Sequence, residues 1–437
     1  MRSGRLTRFR TCRPKGTGVL IAAVRIIVWG INYAPEETGI GPFNTGMCEW
    51  LAARGHQVEM VTTFSYYPAW KKNATDRGRL FRTDSINGVR IRRIWHFVPS
   101  RVTALKRMFH EATFIGTSFF GLLSMKRPDV LVVVSPPLPL GVPARILSFL
   151  WRRPYVFHVQ DLQPDAAVSL GMLKPGVFTR ILYWLESVAY RGASVVSGIS
   201  GGMQRAFNSK GVSAEKLMLF PNWIRGSGHD PVTLSESSAK GTFCARHGLD
   251  ASRPLAVYAG NIGEKQGLAG VLDAAATEHG RDIQWVIAGD GAGRSLLEER
   301  KTRDGLTNVC LLPLQPSVQF KEMLFAADAC LVTQQRGSGQ FFFPSKLLTL
   351  LNYGRPVVAV ADDSSELAIA AREADVGEVV GPGEAEGLAR AIEKLATAGS
   401  AQREQWAGNG RRWVSQFEQA KVLGAFEKRL VDLVSSK

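Results

Sequence analysis

The sequence is short of the features that most directly reveal a chain's chemistry. Its five cysteines (Cys12, Cys48, Cys244, Cys310, Cys330) are scattered over 437 residues, with no CxxC pair and no Cys/His cluster. That argues against a disulfide framework or a zinc site and fits a reducing compartment. No Asp-x-Asp pair stands at a strand end, so nothing is placed to bridge a metal to a diphosphate. No apolar run makes a good membrane span of roughly 20 residues. The best candidate, residues 108–125, contains His110 and Glu111, and residues 130–150 are broken by Pro136, Pro137, Pro139 and Pro143. A clean secretory signal is missing too, because the run GVLIAAV is short and leads straight into a strand. There is no short tandem repeat and no low-complexity tract.

Acidic residues are scarce where basic ones are plentiful. Residues 1–23 hold six basic side chains and no acidic one, and residues 24–225 hold 25 and 12. Residues 226–437 reverse the balance, with 23 basic and 26 acidic, leaving a net charge of +16. One half of the chain is therefore expected to face an anionic surface, either nucleic acid or a phospholipid leaflet.

What is abundant is alternation. RIIVWGI, HQVEMVTTF, VRIRRIW, PDVLVVVSPP, YVFHVQD and ASVVSGIS read as strands separated by helices such as TGMCEWLAARG. PLAVYAGNIG, IQWVIAGDG, NVCLLP, ACLVTQQ, PVVAVA and VGEVVGP repeat the pattern later. Unbroken Val/Ile/Leu runs suit parallel sheets covered on both faces. The expected fold is α/β, two doubly wound parallel-sheet domains facing across a cleft. Expected boundaries are a basic extension at 1–23, a first domain at 24–225, a Gly/Ser-rich linker at 226–250 and a second domain at 251–405. Helices at 406–437 are expected to cross back to the first domain. Residues 1–23 read as lying ahead of the true start, with Val24 as an internally read initiation codon.

In doubly wound domains ligands sit at loops following strands, and several such loops carry suitable residues. Gly39 and Gly41 follow the first strand and precede a helix, where backbone N–H groups can approach an oxyanion. The bland alternative is a plain turn, since residue 44 is Asn and no GxGxxG is formed. AGNIGEKQGL combines Gly260 and Gly263 with Asn261 and Lys265, a pairing of N–H donors and cation that phosphate favours. AGDGAG reads as a turn that shapes the cleft. Pro344, Ser345 and Lys346 open another helix, suited to an anion or to ordinary capping. His158 and Asp161 end a strand, where either can accept or orient a proton. The helix around residues 104–125 joins Lys106 and Arg107 to Met108, Phe109 and Phe120. It reads either as an interfacial helix or as a core helix under the sheet.

With GINYAPEETGIGPF, YYPAW, HVQDLQPDAAVSLGML, GNIGEKQGL, GDGAG, PLQP and PSKLLTLLNYGRPVV in order over residues 24–360, the chain resembles the retaining family-four glycosyltransferases of the GT-B fold. It is most similar to the colanic-acid-type fucosyltransferases of bacterial exopolysaccharide assembly. The resemblance implies a nucleotide-diphosphate sugar donor, GDP-fucose-like or another, bound mainly by the second domain. Gly260, Asn261 and Lys265 would meet its diphosphate, with Ser345 and Lys346 nearby and the Gly39–Gly41 loop across the cleft. A lipid-linked or saccharide acceptor would bind the first domain, and His158 or Asp161 would activate it. No metal and no cofactor is implied. The implied location is cytoplasmic, at the inner face of the plasma membrane. Many relatives carry two glutamates seven residues apart, where this chain has Phe341 and Thr349. Asp362, Asp363 and Glu366 after the next strand are possible substitutes. Two alternatives stay open at this point: a sugar-nucleotide epimerase on the same fold, and a non-catalytic protein that binds membrane or nucleic acid through the basic lobe. Nucleic acid is the less expected partner, because no recognition helix or aromatic sheet is evident.

Overall fold

The computed structural model describes residues 23–435, apart from residues 38, 170–172, 175, 225–235, 338 and 340–344. The basic extension thus lies almost wholly outside the described residues. The Val/Ile/Leu runs form two sheets. The first holds β1 (Arg25–Trp29), β2 (Gln57–Thr63), β3 (Phe81–Ile86), β4 (Val89–Ile94), β5 (Val130–Ser135), β6 (Tyr155–Val159), β7 (Val195–Gly198) and β8 (Leu217–Leu219). Its order is β3-β4-β2-β1-β5-β6-β7-β8, parallel throughout except for the β3–β4 hairpin at one edge. β1 is central, with Val28 opposite Met60 on one side and Val132 on the other.

The second sheet holds β9 (Leu255–Ala259), β10 (Gln284–Ala288), β11 (Val309–Leu312), β12 (Ala329–Thr333), β13 (Val357–Val360) and β14 (Gly377–Val380). It runs β11-β10-β9-β12-β13-β14, every pair parallel. Both domains therefore have the doubly wound design, and in both the central strand is the one that delivers a glycine-rich loop.

Helices α1 (Gly41–Ala53), α2 (Ala104–Leu123), α3 (Gly141–Trp151), α4 (Gln163–Ser169), α5 (Val177–Gly192) and α6 (Gly201–Ser209) belong to the first lobe. One face of its sheet is closed by α2, α3, α5 and α6 through Phe114, Leu147, Tyr190 and Phe207. The opposite face is closed by α1, through Phe43, Met47 and Leu51. The second lobe carries α7 (Glu236–His247), α8 (Ala269–Ala276), α9 (Arg294–Arg303), α10 (Ser317–Ala326), α11 (Ser345–Asn352), α12 (Glu366–Ala374), α13 (Ala385–Ala396) and α14 (Ser400–Val414).

Two boundaries differ from the sequence reading. The stretch expected as a linker at 226–250 contains α7, whose Phe243 and Cys244 are buried in the second core. Its polar composition comes from an outer face, and Arg246 reaches Glu322 of α10 at 2.7 Å. The return to the first lobe begins after α14, not at 406, because Trp406 and Val414 are buried against the second sheet. The final helix, α15 (Gln419–Ser435), then packs on the first sheet beside α1. Phe426 stacks on Phe220 with centroids 4.0 Å apart. Glu427 takes Arg54 at 2.6 Å and the His56 ring at 3.1 Å, so its buried carboxylate is paired on both sides.

Candidate functional site

The carboxyl ends of the two sheets face one another. A cleft of about 470 Å³ opens between the Gly39 loop, the β6 loop at Asp161 and Ser345 of the second lobe. A larger cavity of about 710 Å³ lies beside the 262–268 turn, but second-lobe residues alone line it. Of these two, the cleft is the one lined by groups from both lobes.

The cleft is organised by Glu36, one of the two glutamates ahead of the glycines. Its Oε1 accepts from the backbone N–H groups of Tyr66 and Tyr67, both at 3.1 Å, and its Oε2 from Asn32 Nδ2 at 2.7 Å. Burial raises this carboxyl above the usual range, against the pull of those hydrogen bonds. Glu36 thereby ties the loop after β1 to the loop after β2. Gly39 sits at φ +66°, a left-handed conformation open to glycine, and lines the cleft. Gly41 answers a different need, since a Cβ there would stand 3.0 Å from the Glu36 carbonyl oxygen.

Across the cleft, Lys265 reaches Asp161 at 3.6 Å, joining the two lobes. Burial raises the Asp161 carboxyl, and Lys265 pulls it back down. The second Asp161 oxygen, Oδ1, is buried with no hydrogen-bond partner among the described residues. Such an atom is costly unless a ligand completes it. Asn261 is exposed at the same turn. Its carbonyl accepts from the Tyr258 hydroxyl at 2.6 Å, and its side-chain amide lies 3.4 Å from Gln266 Oε1.

Lys346 lies beneath Gly260. A Cβ on Gly260, which has φ +141°, would come within 2.3 Å of Lys346 Cε. Nζ donates to the Tyr258 hydroxyl and stands 4.1 Å from that ring's centroid. Burial drops its pKa to about 7, so the amine is poised to gain a proton when an anion arrives. Ser345 is exposed and lines the cleft. The GDGAG turn supports the 260–262 backbone, with Ile262 N–H donating to the Asp290 carbonyl at 2.8 Å.

His158 is not brought to the cleft. It points into the first core, 2% exposed, with Nδ1 3.0 Å from Ser197 Oγ and Nε2 2.8 Å from Gln160 Nε2. Burial pushes its pKa down to about 3, and its ring packs at a tilt against Phe220, centroids 4.8 Å apart. A strand residue at this register faces inward, whereas Gln160 and Asp161, past the strand end, line the cleft.

Phe341 lies outside the described residues, and Thr349 is half-buried on α11. The acidic residues after β13 are already engaged. Asp362 accepts from Gly337 N–H at 2.6 Å, Asp363 pairs with Arg372, and Glu366 meets Arg205 of the first lobe at 2.6 Å. Among the described residues, no group of three or more His, Cys, Asp or Glu side chains is spaced to hold a metal ion.

The floor of the cleft escaped the sequence reading. Tyr66 stacks edge-on with Trp70 and His110, at centroid distances of 5.3 and 4.7 Å, and Arg107 and Glu111 of α2 stand beside them. The one available signal was YYPAW directly after β2, three aromatics in a loop at a strand end.

Two facing parallel-sheet lobes with loops from both meeting in a cleft define a glycosyltransferase architecture of the GT-B type. Family models agree: residues 38–223 match a glycosyl transferase 4-like domain, and residues 240–413 match glycosyl transferases group 1. The chain is 34% identical to the putative colanic acid biosynthesis glycosyl transferase WcaI of Escherichia coli K12 over 351 residues, 79% of this chain and 85% of that one. Among solved structures it is similar to sucrose-phosphate synthase of Thermosynechococcus elongatus, with TM-score 0.71 and 17% identity over 94% of this chain and 99% of that one. It is also similar to HepE of Anabaena in complex with UDP-glucose, with TM-score 0.63 and 17% identity over 94% and 100%. The chain belongs to the family-four glycosyltransferases.

Proposed function

We propose that the protein transfers a sugar, with retention and without a metal, from a nucleotide-diphosphate sugar to a lipid-linked or oligosaccharide acceptor of exopolysaccharide assembly. A GDP-fucose-like donor is the specific expectation. The observation that carries this reading is the meeting of Asp161 and Lys265 across the cleft. Lys265, with the N–H groups of the Gly260–Gly263 turn, takes the diphosphate and the charge that develops on it as the sugar leaves. Lys346 gains its proton as the diphosphate arrives and adds a second positive charge from below. Asp161 is left to hold the acceptor hydroxyl, while Tyr66 and Trp70 give the acceptor sugar an apolar wall.

Electrostatics divides the labour. A diphosphate-bearing lipid acceptor suits the basic first lobe, and Arg107 stands at the cleft. Among the described residues no helix is long and apolar enough to cross a membrane. The reading therefore places the first lobe against the inner leaflet of the plasma membrane, with α2 as a contact. Thermal-shift screening against GDP-, UDP- and dTDP-sugars tests the donor assignment. One nucleotide class should raise Tm by several degrees, since a ligand that binds only the folded state stabilises it. A flat response to all three would remove the assignment.

A further inference from the structure

At the β3–β4 edge of the first lobe two cavities meet. One, of about 520 Å³, lies between the β3–β4 hairpin and the carboxyl half of α2. Its apolar wall includes Leu80, Phe81, Trp95 and Phe120, of which Leu80, Phe81 and Phe120 are 70–74% exposed. At Gly121 the absence of a side chain lets Ile94 close on the helix backbone, where a Cβ would lie 2.7 Å from Ile94 Cδ1. The other cavity, of about 480 Å³, lies at the amino ends of β1 and β2 and is basic. It collects Arg25, Arg90, Arg92 and Lys126 around one nearby carboxylate, Glu59, which Arg25 and Arg90 already approach at 3.5 and 4.0 Å.

Arg92 and Ser124 belong to both cavities and join them. Arg92 touches Ser124 Oγ at 3.3 Å, but its Nε is buried with no hydrogen-bond partner among the described residues. An unpartnered guanidinium N–H at the junction of an apolar groove and a basic pocket calls for an anion attached to an apolar chain. The surroundings say where such a molecule comes from. The outer side of α2 leaves Leu105, Met108 and Phe109 exposed at one end and Phe120 and Leu123 at the other, so the groove opens beside exposed apolar side chains. Apolar surface edged with cations is the pattern of a protein that rests on an anionic leaflet.

We propose that the joined cavities bind one anionic phospholipid of the bilayer. Its acyl chain lies between β3–β4 and α2, and its phosphate sits against Arg92 and Lys126. The inference rests on the membrane-facing part of the proposed function and is independent of the donor chemistry. It also fixes an orientation. The same helix lines the cleft with Arg107, His110 and Glu111 and the lipid groove with Phe120, Gly121 and Ser124. Glu111 and Ser124 are roughly 20 Å apart along the axis at 1.5 Å per residue. A lipid held at one end of α2 lays the helix along the membrane and turns the cleft mouth toward the leaflet.

The test uses the full chain and phosphatidylglycerol carrying a photoreactive group in its acyl chain, with the matched phosphatidylcholine as control. Adducts should map to residues 80–95 and 117–124 and exceed those of phosphatidylcholine at least fivefold. Arg92→Glu should lose that preference. Phe120→Ser, at an exposed position with no folding liability, should lower groove labelling several-fold. Equal labelling by both lipids, or adducts spread over α3 and α5 instead, overturns the site. Polyprenyl phosphate displacing the probe where unlabelled phosphatidylglycerol does not would assign the groove to a carrier lipid and overturn the bilayer source. Turnover with a water-soluble acceptor is measured on the same variants. It should be unchanged in Arg92→Glu, and its absence from the unmodified protein would count against the proposed transfer and leave the labelling result standing.

Discussion

The two lobes share a design and differ in what they show to solvent. Each is a parallel sheet buried on both faces, with a glycine-bearing loop after its central strand. Yet the large exposed apolar side chains are concentrated between Leu80 and Trp184 of the first lobe, while the second shows Leu296, Leu314 and Val318. The charge follows the same division, with 25 basic against 12 acidic residues in 24–225 and 23 against 26 in 226–437. Because the cores are alike, the difference belongs to partners. Under the proposed function the second lobe meets a small soluble donor and the first an anionic interface.

That contrast can be broken most sharply at the cleft, where the lobes touch. Asp161→Asn on the acceptor side should lower kcat about a hundredfold, the low end for loss of a proton-handling group. Full activity in that variant, measured at saturating donor, would remove Asp161 from the chemistry. Lys265→Ala on the donor side should lower turnover more than about tenfold with an unchanged melting curve. If it changes only the acceptor KM, the division between the lobes is drawn in the wrong place.

Lys346 sharpens the comparison through pH. Its amine titrates near 7 in the folded protein and near its ordinary value of 10.5 when unfolded. Between these values the unfolded chain binds more protons, so this group makes stability rise as pH rises through that window. Lys346→Met should flatten that rise. Nucleoside diphosphate binding above pH 7 should take up a proton, read by calorimetry in buffers of different ionisation enthalpy, and the variant should lose that uptake. The smallest effect is expected at Arg205–Glu366, another contact between the lobes. The arginine is two-thirds exposed, so Arg205→Ala should cost less than about 1 kcal/mol in a denaturant titration.

The architecture was legible in the sequence because buried parallel strands must be apolar at every position, as in VLVVVS of β5 and VYA of β9. The placement of Gly39 and Lys265 at the cleft was legible because each stands in a glycine-bearing loop after a strand. His158 misled because sequence gives residue type and neighbourhood but not the side of the strand. The inward register that buries it depends on pairing with β7 at Ser197. The α7 helix was missed since ESSAKGTFCARH has only a thin apolar stripe, Phe243 and Cys244, and needs α10 to cover it. Tyr66 and Trp70 of one loop are brought to His110 of α2, a long-range meeting that no local pattern encodes.

The return of α15 to the first lobe carries a consequence for how the molecule is made. Phe220 and Trp223 are covered in part by a segment that begins near residue 419, so the lobe translated first keeps part of one face open until α15 has been made. The second lobe can close while the first still waits. A chain that stopped before α15 would lose the covering of the domain it had begun with, and leave the later one whole.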